Sequence, residues 1–221
     1  MKKILIIFIS IIIATTFFAR EFYKNGISEI TYKEKYSDYT NISKLEVIST
    51  DPLKILWESE NDSTLVELDE NLNTKNMVYK SKNIDLKLEK KERVINLEGI
   101  YKGEKIKRQM VIDNDLWYQL FVFSFTDFIF SEDVSRNYWV FNPFEISMNE
   151  MKVKKISQEK ISINGETYDS YYLNTRLTGL LSVFWKGEYW FNKQNGMYLK
   201  YDGLNIYPEI QKVVITAENW R

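Results

Sequence analysis

The chain has 221 residues, 44% of them hydrophobic and 28% charged, with a formal net charge of −1. That length and composition fit one globular domain, and the near-neutral charge leaves no electrostatic footprint for nucleic acid. Neither cysteine nor histidine is present, which excludes disulfides, thiolate nucleophiles, a lipid-modified N-terminal cysteine, Ser-His-Asp triads, imidazole bases and Cys- or His-ligated metals. No cofactor is expected, and any enzymatic chemistry would have to use carboxylates, Lys, Tyr, Ser or Thr.

Lys2 and Lys3 precede an apolar run from Ile4 to Phe18 that only Ser10, Thr15 and Thr16 interrupt. A short basic start followed by such a run is the layout of a secretory signal, and the run is short for a bilayer span, which needs roughly 18–20 residues. Residues 1–19 are therefore read as a signal peptide or N-terminal anchor, with a cut after Ala14, where Ile12 would stand at the −3 place, or after Ala19. Bulky Phe17 at the −3 place keeps an uncleaved N-terminal anchor, in contact with the membrane through residues 4–19, as the alternative. Both readings put the protein outside the cytoplasm, in the periplasm or cell envelope. Residues 20–221 are expected to form a single antiparallel β domain.

From Ile27 onward strand signals follow one another: Ile27 to Tyr39, Ile42 to Ile48, Leu53 to Glu58, Leu65 to Leu68, Met77 to Lys80, Ile84 to Leu88, Val94 to Tyr101 and Lys105 to Ile112. Ile84-Asp85-Leu86-Lys87-Leu88 alternates strictly, as a half-buried strand does. Polar turns stand between the segments at a spacing of about ten residues, which indicates an antiparallel meander.

The stretch from Asp115 to Phe130 breaks this rhythm. It is apolar on nearly every side, so its period does not separate helix from strand. Its length and an Asp cap at Asp113 or Asp115 favour a helix, while its phenylalanines favour a strand. Read as a helix, it must be buried by something, and the concave face of a curved sheet is the simplest cover. The expected fold is mainly β: a curved antiparallel sheet, as a meander, half-barrel or clam, covering one principal helix.

Tyr138 to Phe141 reads as a strand or docking segment, and Met151 to Ile156 as a strand. Two hairpins follow. The first turns at Asn164-Gly165, and its second strand runs from Tyr168 to Leu177. Gly179 then interrupts before the apolar run Leu180 to Trp185, and Gly187 turns the chain into the second hairpin. There Gln194-Asn195-Gly196 separates Glu188 to Lys193 from Met197 to Asp202. Asn-Gly between aromatic and branched residues is a strong hairpin signal. A three-residue loop, Gln194 to Gly196, would set Phe191 opposite Leu199 and Tyr189 opposite Tyr201 on an apolar face. A two-residue loop would instead set Phe191 opposite Lys200, so the three-residue register is expected. Ile210 to Thr216 closes the chain as a strand that pairs with an open edge.

The mid-chain apolar segment, together with the ending GETYDSYYLNTRLTGLL and GEYWFNKQNGMYLKYDG, resembles exported bacterial proteins of the domain of unknown function 3108 family. The matching features are the strand Tyr168 to Leu177, the aromatic strand Tyr189 to Phe191, the turn at Gly196, and Lys200, Tyr201 and Gly203. That family is similar in outline to periplasmic lipoprotein-carrier folds, so the resemblance implies a cavity for an apolar ligand and supplies no catalytic residue.

Each candidate site has an ordinary reading beside it. Asp113-Asn114-Asp115 starts like a calcium loop, but Tyr118 stands where Gly is needed and Ser124 at the twelfth place, so a turn with a helix cap fits better. Glu58 with Glu60, and Glu132 with Asp133, would serve a carboxylate-dependent polysaccharide hydrolase only if held about 5–10 Å apart across a sugar; otherwise they are solvated turn charges. Lys105, Lys107 and Arg108, like Lys152, Lys154 and Lys155, read as the wet side of a strand, with docking to anionic lipid as the other use. Trp117, Phe121, Phe125, Phe128, Trp185, Tyr189, Phe191 and Leu199 are core residues or, on the binding reading, the lining for a lipid or acyl chain, and Phe123 shares both readings.

Three functions follow. The first is a non-enzymatic envelope protein that holds an apolar ligand, which requires an unfilled groove between sheet and mid-chain segment. The second is a scaffold with a filled core. The third is the hydrolase. The sequence names no protein partner.

Overall fold

In the computed structural model, residues 28–179, 185–205 and 211–220 are described. Residues 1–27, which carry the signal-or-anchor reading, and 180–184, within the apolar run after Gly179, lie outside them.

Fourteen strands make one antiparallel sheet. In chain order they are β1 (Glu29–Lys35), β2 (Thr40–Thr50), β3 (Leu53–Glu58), β4 (Asp62–Leu68), β5 (Thr74–Ser81), β6 (Ile84–Lys91), β7 (Val94–Tyr101) and β8 (Glu104–Val111), then helix α1 (Phe121–Phe130). After it come β9 (Ser135–Asn142), β10 (Ser147–Ile163), β11 (Glu166–Leu177), β12 (Lys186–Asn192), β13 (Tyr198–Asn205) and β14 (Gln211–Trp220). The sheet is curved and open, and α1 is the helix it covers, as the alternation and the apolar mid-chain segment together required.

The spatial order runs from β8 back to β1, then β14 back to β9. Two meanders thus meet where β1 pairs with β14, with Tyr32 opposite Ala217 and Lys33 opposite Thr216. The last strand does find an open edge, but that edge lies mid-sheet: β14 pairs with both β1 and β13. It thereby covers two rows of backbone donors and acceptors that would otherwise be free to pair with other chains.

The period of two sets the inner face. Ile30 and Tyr32, Leu45, Ile55, Val66 and Leu68, Met77 and Tyr79, Leu86 and Leu88, and Ile95 and Leu97 are all buried, and polar residues alternate with them. The same rule corrects the reading of Lys155. It shares the face of buried Met151 and Val153, so it points inward; its ammonium donates to Ser131 O (2.5 Å) and lies 4.9 Å from the centre of the Phe128 ring. Burial pulls its pKa down.

The first hairpin turns as the sequence indicates, with Ile163 opposite Glu166 and both Asn164 and Gly165 at positive φ. The second departs from expectation. Tyr189 faces Tyr201 and Trp190 faces Lys200, but Phe191 faces Tyr198, not Leu199. Asn192 N donates to Met197 O, so the loop has four residues, Lys193 to Gly196. A bulge at Leu199 absorbs the extra residue, which lets both Tyr198 and Leu199 be buried. Gly187 is not a turn residue: it lies within β12, opposite Gly203.

The helix starts later than the apolar run. Its N-cap is Leu120, which makes no side-chain cap bond, and neither Asp113 nor Asp115 caps it. Asp113 instead accepts from Trp139 Nε1 (2.9 Å), and the Asn114 side chain accepts from Leu116 N (3.0 Å). The segment from Leu116 to Gln119 is extended because it has backbone partners on both sides. Thr74 N donates to Trp117 O (2.8 Å), Tyr118 N to Trp139 O (2.9 Å) and Trp139 N to Leu116 O (2.8 Å). It therefore bridges the start of β5 to the edge strand β9 and draws the two limbs of the curved sheet together. The Tyr101 hydroxyl, donating to Phe144 O (2.5 Å), adds a second link between them.

Candidate ligand site beneath the helix

Helix α1 is apolar nearly all round, and its rings meet those of the C-terminal meander. Phe121 packs edge-on to Tyr138 and Tyr189 with centroids 5.7 and 5.9 Å apart. Phe125 lies deepest, edge-on to Tyr138 (5.3 Å), Tyr189 (5.7 Å) and Phe191 (6.1 Å). Phe128 stands beside Phe125 at 6.5 Å. Such offset and edge contacts each add about 0.5–1.5 kcal/mol to the burial of the rings.

Phe121, Phe125, Phe128, Tyr189 and Phe191 thus form one aromatic seam. Three other candidates lie apart from it. Trp117 is fully buried in the bridging segment, with Nε1 donating to Gln119 Oε1 (3.1 Å). Trp185 precedes β12 and donates to Leu204 O (2.8 Å). Leu199 fills the bulge. Sequence reading missed the tyrosines that complete the seam: Tyr118, Tyr138, Tyr198 and Tyr201, all buried. No local signal gives Tyr138, because Tyr138 to Phe141 are all apolar and their order does not say which of them face inward.

The helix is held at three places. At its C-terminal end Arg136 binds Asp127 (2.6 Å) and Asp133 (2.6 Å), and donates to the Tyr118 hydroxyl (2.9 Å). The Arg136 guanidinium also lies 5.3 Å from the Phe128 ring. Midway, the Ser124 hydroxyl donates to Leu72 O (2.8 Å). On the far side the turn at Gly196 packs against it. Gly196 has φ of +73°, and a Cβ there would lie 2.8 Å from Thr126 Cγ2, so this position needs glycine both for its backbone and for its clearance.

Between α1 and the strands lies a cavity of about 10 Å³, lined by residues that include Ile30, Tyr32, Phe123 and Tyr198. Where a groove between sheet and helix was expected, phenyl rings of α1 pack against Tyr138, Tyr189 and Phe191. A shallow depression of about 530 Å³ on the outer face of β6 to β8 is lined by Lys87, Lys105 and Lys107 with Asp85 and Glu98. It is open to solvent and ringed by charges of both signs around Ile100 and Ile106, so it does not enclose an acyl chain.

The interior also holds a group of phenols. Burial raises the pKa of Tyr138, Tyr189 and Tyr198 well above the usual tyrosine value. Tyr201 folds back over the facing glycines Gly187 and Gly203, where a Cβ on Gly203 would meet its hydroxyl at 2.3 Å. The Tyr201 hydroxyl donates to Leu204 O (3.1 Å) and that of Thr175 to Gly187 O (3.3 Å). The Tyr138 hydroxyl is sealed in with no hydrogen-bond partner.

The carboxylate candidates are not assembled. Glu58, Glu60 and Glu132 are exposed, and Asp133 is tied to Arg136. No group of three or more acids among the described residues could hold a metal ion, and no helix among them is long and apolar enough to cross a membrane.

No protein-family model matches the sequence, so the resemblance to domain of unknown function 3108 rests on the hairpin residues that first carried it. No curated protein matches it. Among solved structures, the chain is similar to a β-barrel-like protein of the domain of unknown function DUF1849 from Brucella abortus, at 6% identity and a TM-score of 0.59, over 88% of this chain and 97% of that one. That likeness is one of fold. More distant likenesses are to the hypothetical lipoprotein YmcC from Escherichia coli, at 11% identity and a TM-score of 0.41, over 87% of this chain and 84% of that one. A LolA superfamily protein from Nitrosomonas europaea follows at 10% identity and a TM-score of 0.25, over 88% and 85%.

Proposed function

We propose that this is an exported, non-enzymatic protein of the cell envelope that accommodates an apolar chain between its curved sheet and α1. Export rests on Lys2-Lys3 and the run Ile4 to Phe18, and residues 20–221 are the mature domain if the cut falls after Ala19. The observation that carries the binding reading is the seam itself. Phe121, Phe125 and Phe128 project from one short helix, and the first two pack onto a ring surface of Tyr138, Tyr189 and Phe191. Ligand pockets are mostly apolar with few polar groups, and a guest that displaces α1 exchanges one apolar cover for another at little cost. The ligand-free form is then a collapsed pocket.

The test is titration of residues 20–221 with a fluorescent polyene fatty acid, with oleate as competitor. Saturable one-to-one binding that oleate reverses is expected, and absence of binding by any acyl or hydrocarbon probe sinks the reading. A filled-core scaffold is the second reading, favoured by the residual cavity of about 10 Å³ and by the Arg136 and Ser124 anchors. Hydrogen exchange separates the two. If α1 opens, its amides exchange faster than those of β12 and β13; if it is a permanent plug, they exchange only with global unfolding.

A further inference from the structure

Resting on that reading, we propose that the Tyr138 hydroxyl is the polar end of the apolar site, where it donates a hydrogen bond to the carbonyl or carboxyl oxygen of an acyl ligand. Several interior hydroxyls already have a bond within the protein. Tyr201 donates to Leu204 O, Thr175 to Gly187 O, Tyr32 to Tyr198 O and Ser124 to Leu72 O. The Tyr118 hydroxyl accepts from Arg136. Tyr138 is equally deep, with no exposure at all, and its hydroxyl has no partner; among the described residues the buried Ser43 hydroxyl, on β2, is in the same position.

Sealing a hydroxyl away without a partner is unfavourable, and phenylalanine would fill the same space without that penalty. The ring is fixed where a ligand under α1 would end: stacked on Tyr118 at 5.4 Å and edge-on to Phe121 and Phe125. Its hydroxyl end approaches the Thr175 hydroxyl without meeting it in hydrogen-bond geometry, and borders Tyr201, so that corner is the most polar part of an otherwise aromatic seam. Burial keeps the phenol protonated, hence a donor. A donor at the end of an aromatic slot selects a chain that ends in an acceptor oxygen over a plain hydrocarbon. Free fatty acids and acyl esters share that oxygen.

The experiment measures displacement of diphenylhexatriene, a hydrocarbon probe, from the mature chain by oleate, methyl oleate and 1-octadecene. In the unaltered protein both oxygenated chains should displace it at lower concentration than octadecene. Tyr138→Phe should still bind diphenylhexatriene and melt at the same or a higher temperature. The preference for oxygenated over plain chains should fall about 5–10-fold, the worth of one hydrogen bond. If methyl oleate loses as much as oleate, the carbonyl is the contact; if oleate alone loses, it is the carboxyl. An unchanged preference in Tyr138→Phe, with the probe still bound, overturns this inference and leaves the apolar site standing. A variant that melts lower or cannot be purified folded also overturns it, because the hydroxyl would then be holding the fold. Failure of every probe to bind the unaltered protein removes the site and this inference together.

Discussion

Arg136 shows how context sets the worth of a charge. Its side chain is 15% exposed and it joins two carboxylates and a phenol. Removing one partner of a largely desolvated pair leaves the other uncompensated, so Arg136→Leu should lower stability by about 2–4 kcal/mol. The exposed pair Lys160–Asp169, at 72% and 59% exposure, is screened by water, and Lys160→Leu should cost less than about 0.5 kcal/mol. Urea unfolding of the two variants checks the contrast, and equal effects would mean that Arg136 is not holding α1. Gly196→Ala meets both a left-handed backbone and the Thr126 methyl. A loss of about 1–3 kcal/mol is expected by the same measurement.

At the scale of elements, α1 and β14 are the two pieces whose neighbours come from distant sequence. Phe125→Ala removes the deepest ring of the helix, and the cavity it leaves should cost about 3–5 kcal/mol. If the apolar site exists, that same variant should bind an acyl probe more tightly, because part of the space is already open. Loss of stability with no gain in probe affinity favours the filled core. Deleting β14, by ending the chain at Asn205, exposes the facing edges of β1 and β13. That truncation should be aggregated or unfolded by size exclusion and circular dichroism; a folded monomer would show that the two meanders stand alone. The limits of these elements were legible where alternation ran to the strand ends, as in β3 and β7. They were not legible for β10, whose stretch from Ser157 to Lys160 is exposed on both faces and so carries no pattern. Nor was the helix start, because Leu116 to Gln119 is extended only through its bonds to Thr74 and Trp139.

For the molecule as a whole, the buried phenols govern the response to pH. Tyr168 and Tyr172 are pushed up to about 12 by burial and then by Glu166 and Glu188 respectively. Tyr138, Tyr189 and Tyr198 are raised further by burial. The unfolded chain ionises its tyrosines near pH 10 while the folded one keeps them protonated. Between about pH 10 and 12 the unfolded state therefore binds fewer protons, and stability falls as pH rises. It is fully present below pH 10. Each of the fully buried Tyr138, Tyr189 and Tyr198 contributes a slope of up to about 1.4 kcal/mol per pH unit, and Tyr168 and Tyr172, screened by solvent, contribute less. Urea midpoints should be flat from pH 6 to 9, where no histidine titrates, and drop steeply above 10. Tyrosinate absorbance should appear together with unfolding; independent titration of all the tyrosines near pH 10 with the fold intact would mean that the interior is open to water.

By itself the sequence determined the class of fold, because a period of two fixes which side chains must leave water whatever their strands pair with. Ile84, Leu86 and Leu88 announce an inner face in this way, and Asn164-Gly165 announces its turn because both residues tolerate positive φ. The long apolar run around Phe125 announced something that a sheet must cover. Only the tertiary structure decided how much room that cover leaves, since packing depends on the volumes of rings brought from β9, β12 and α1 together. It also decided where the helix begins, which way Lys155 points, that a bulge moves Leu199 away from Phe191, and that Tyr138 is buried without a partner. Each of these is set by a contact between residues far apart in the chain, and no local period or turn signal encodes such a contact.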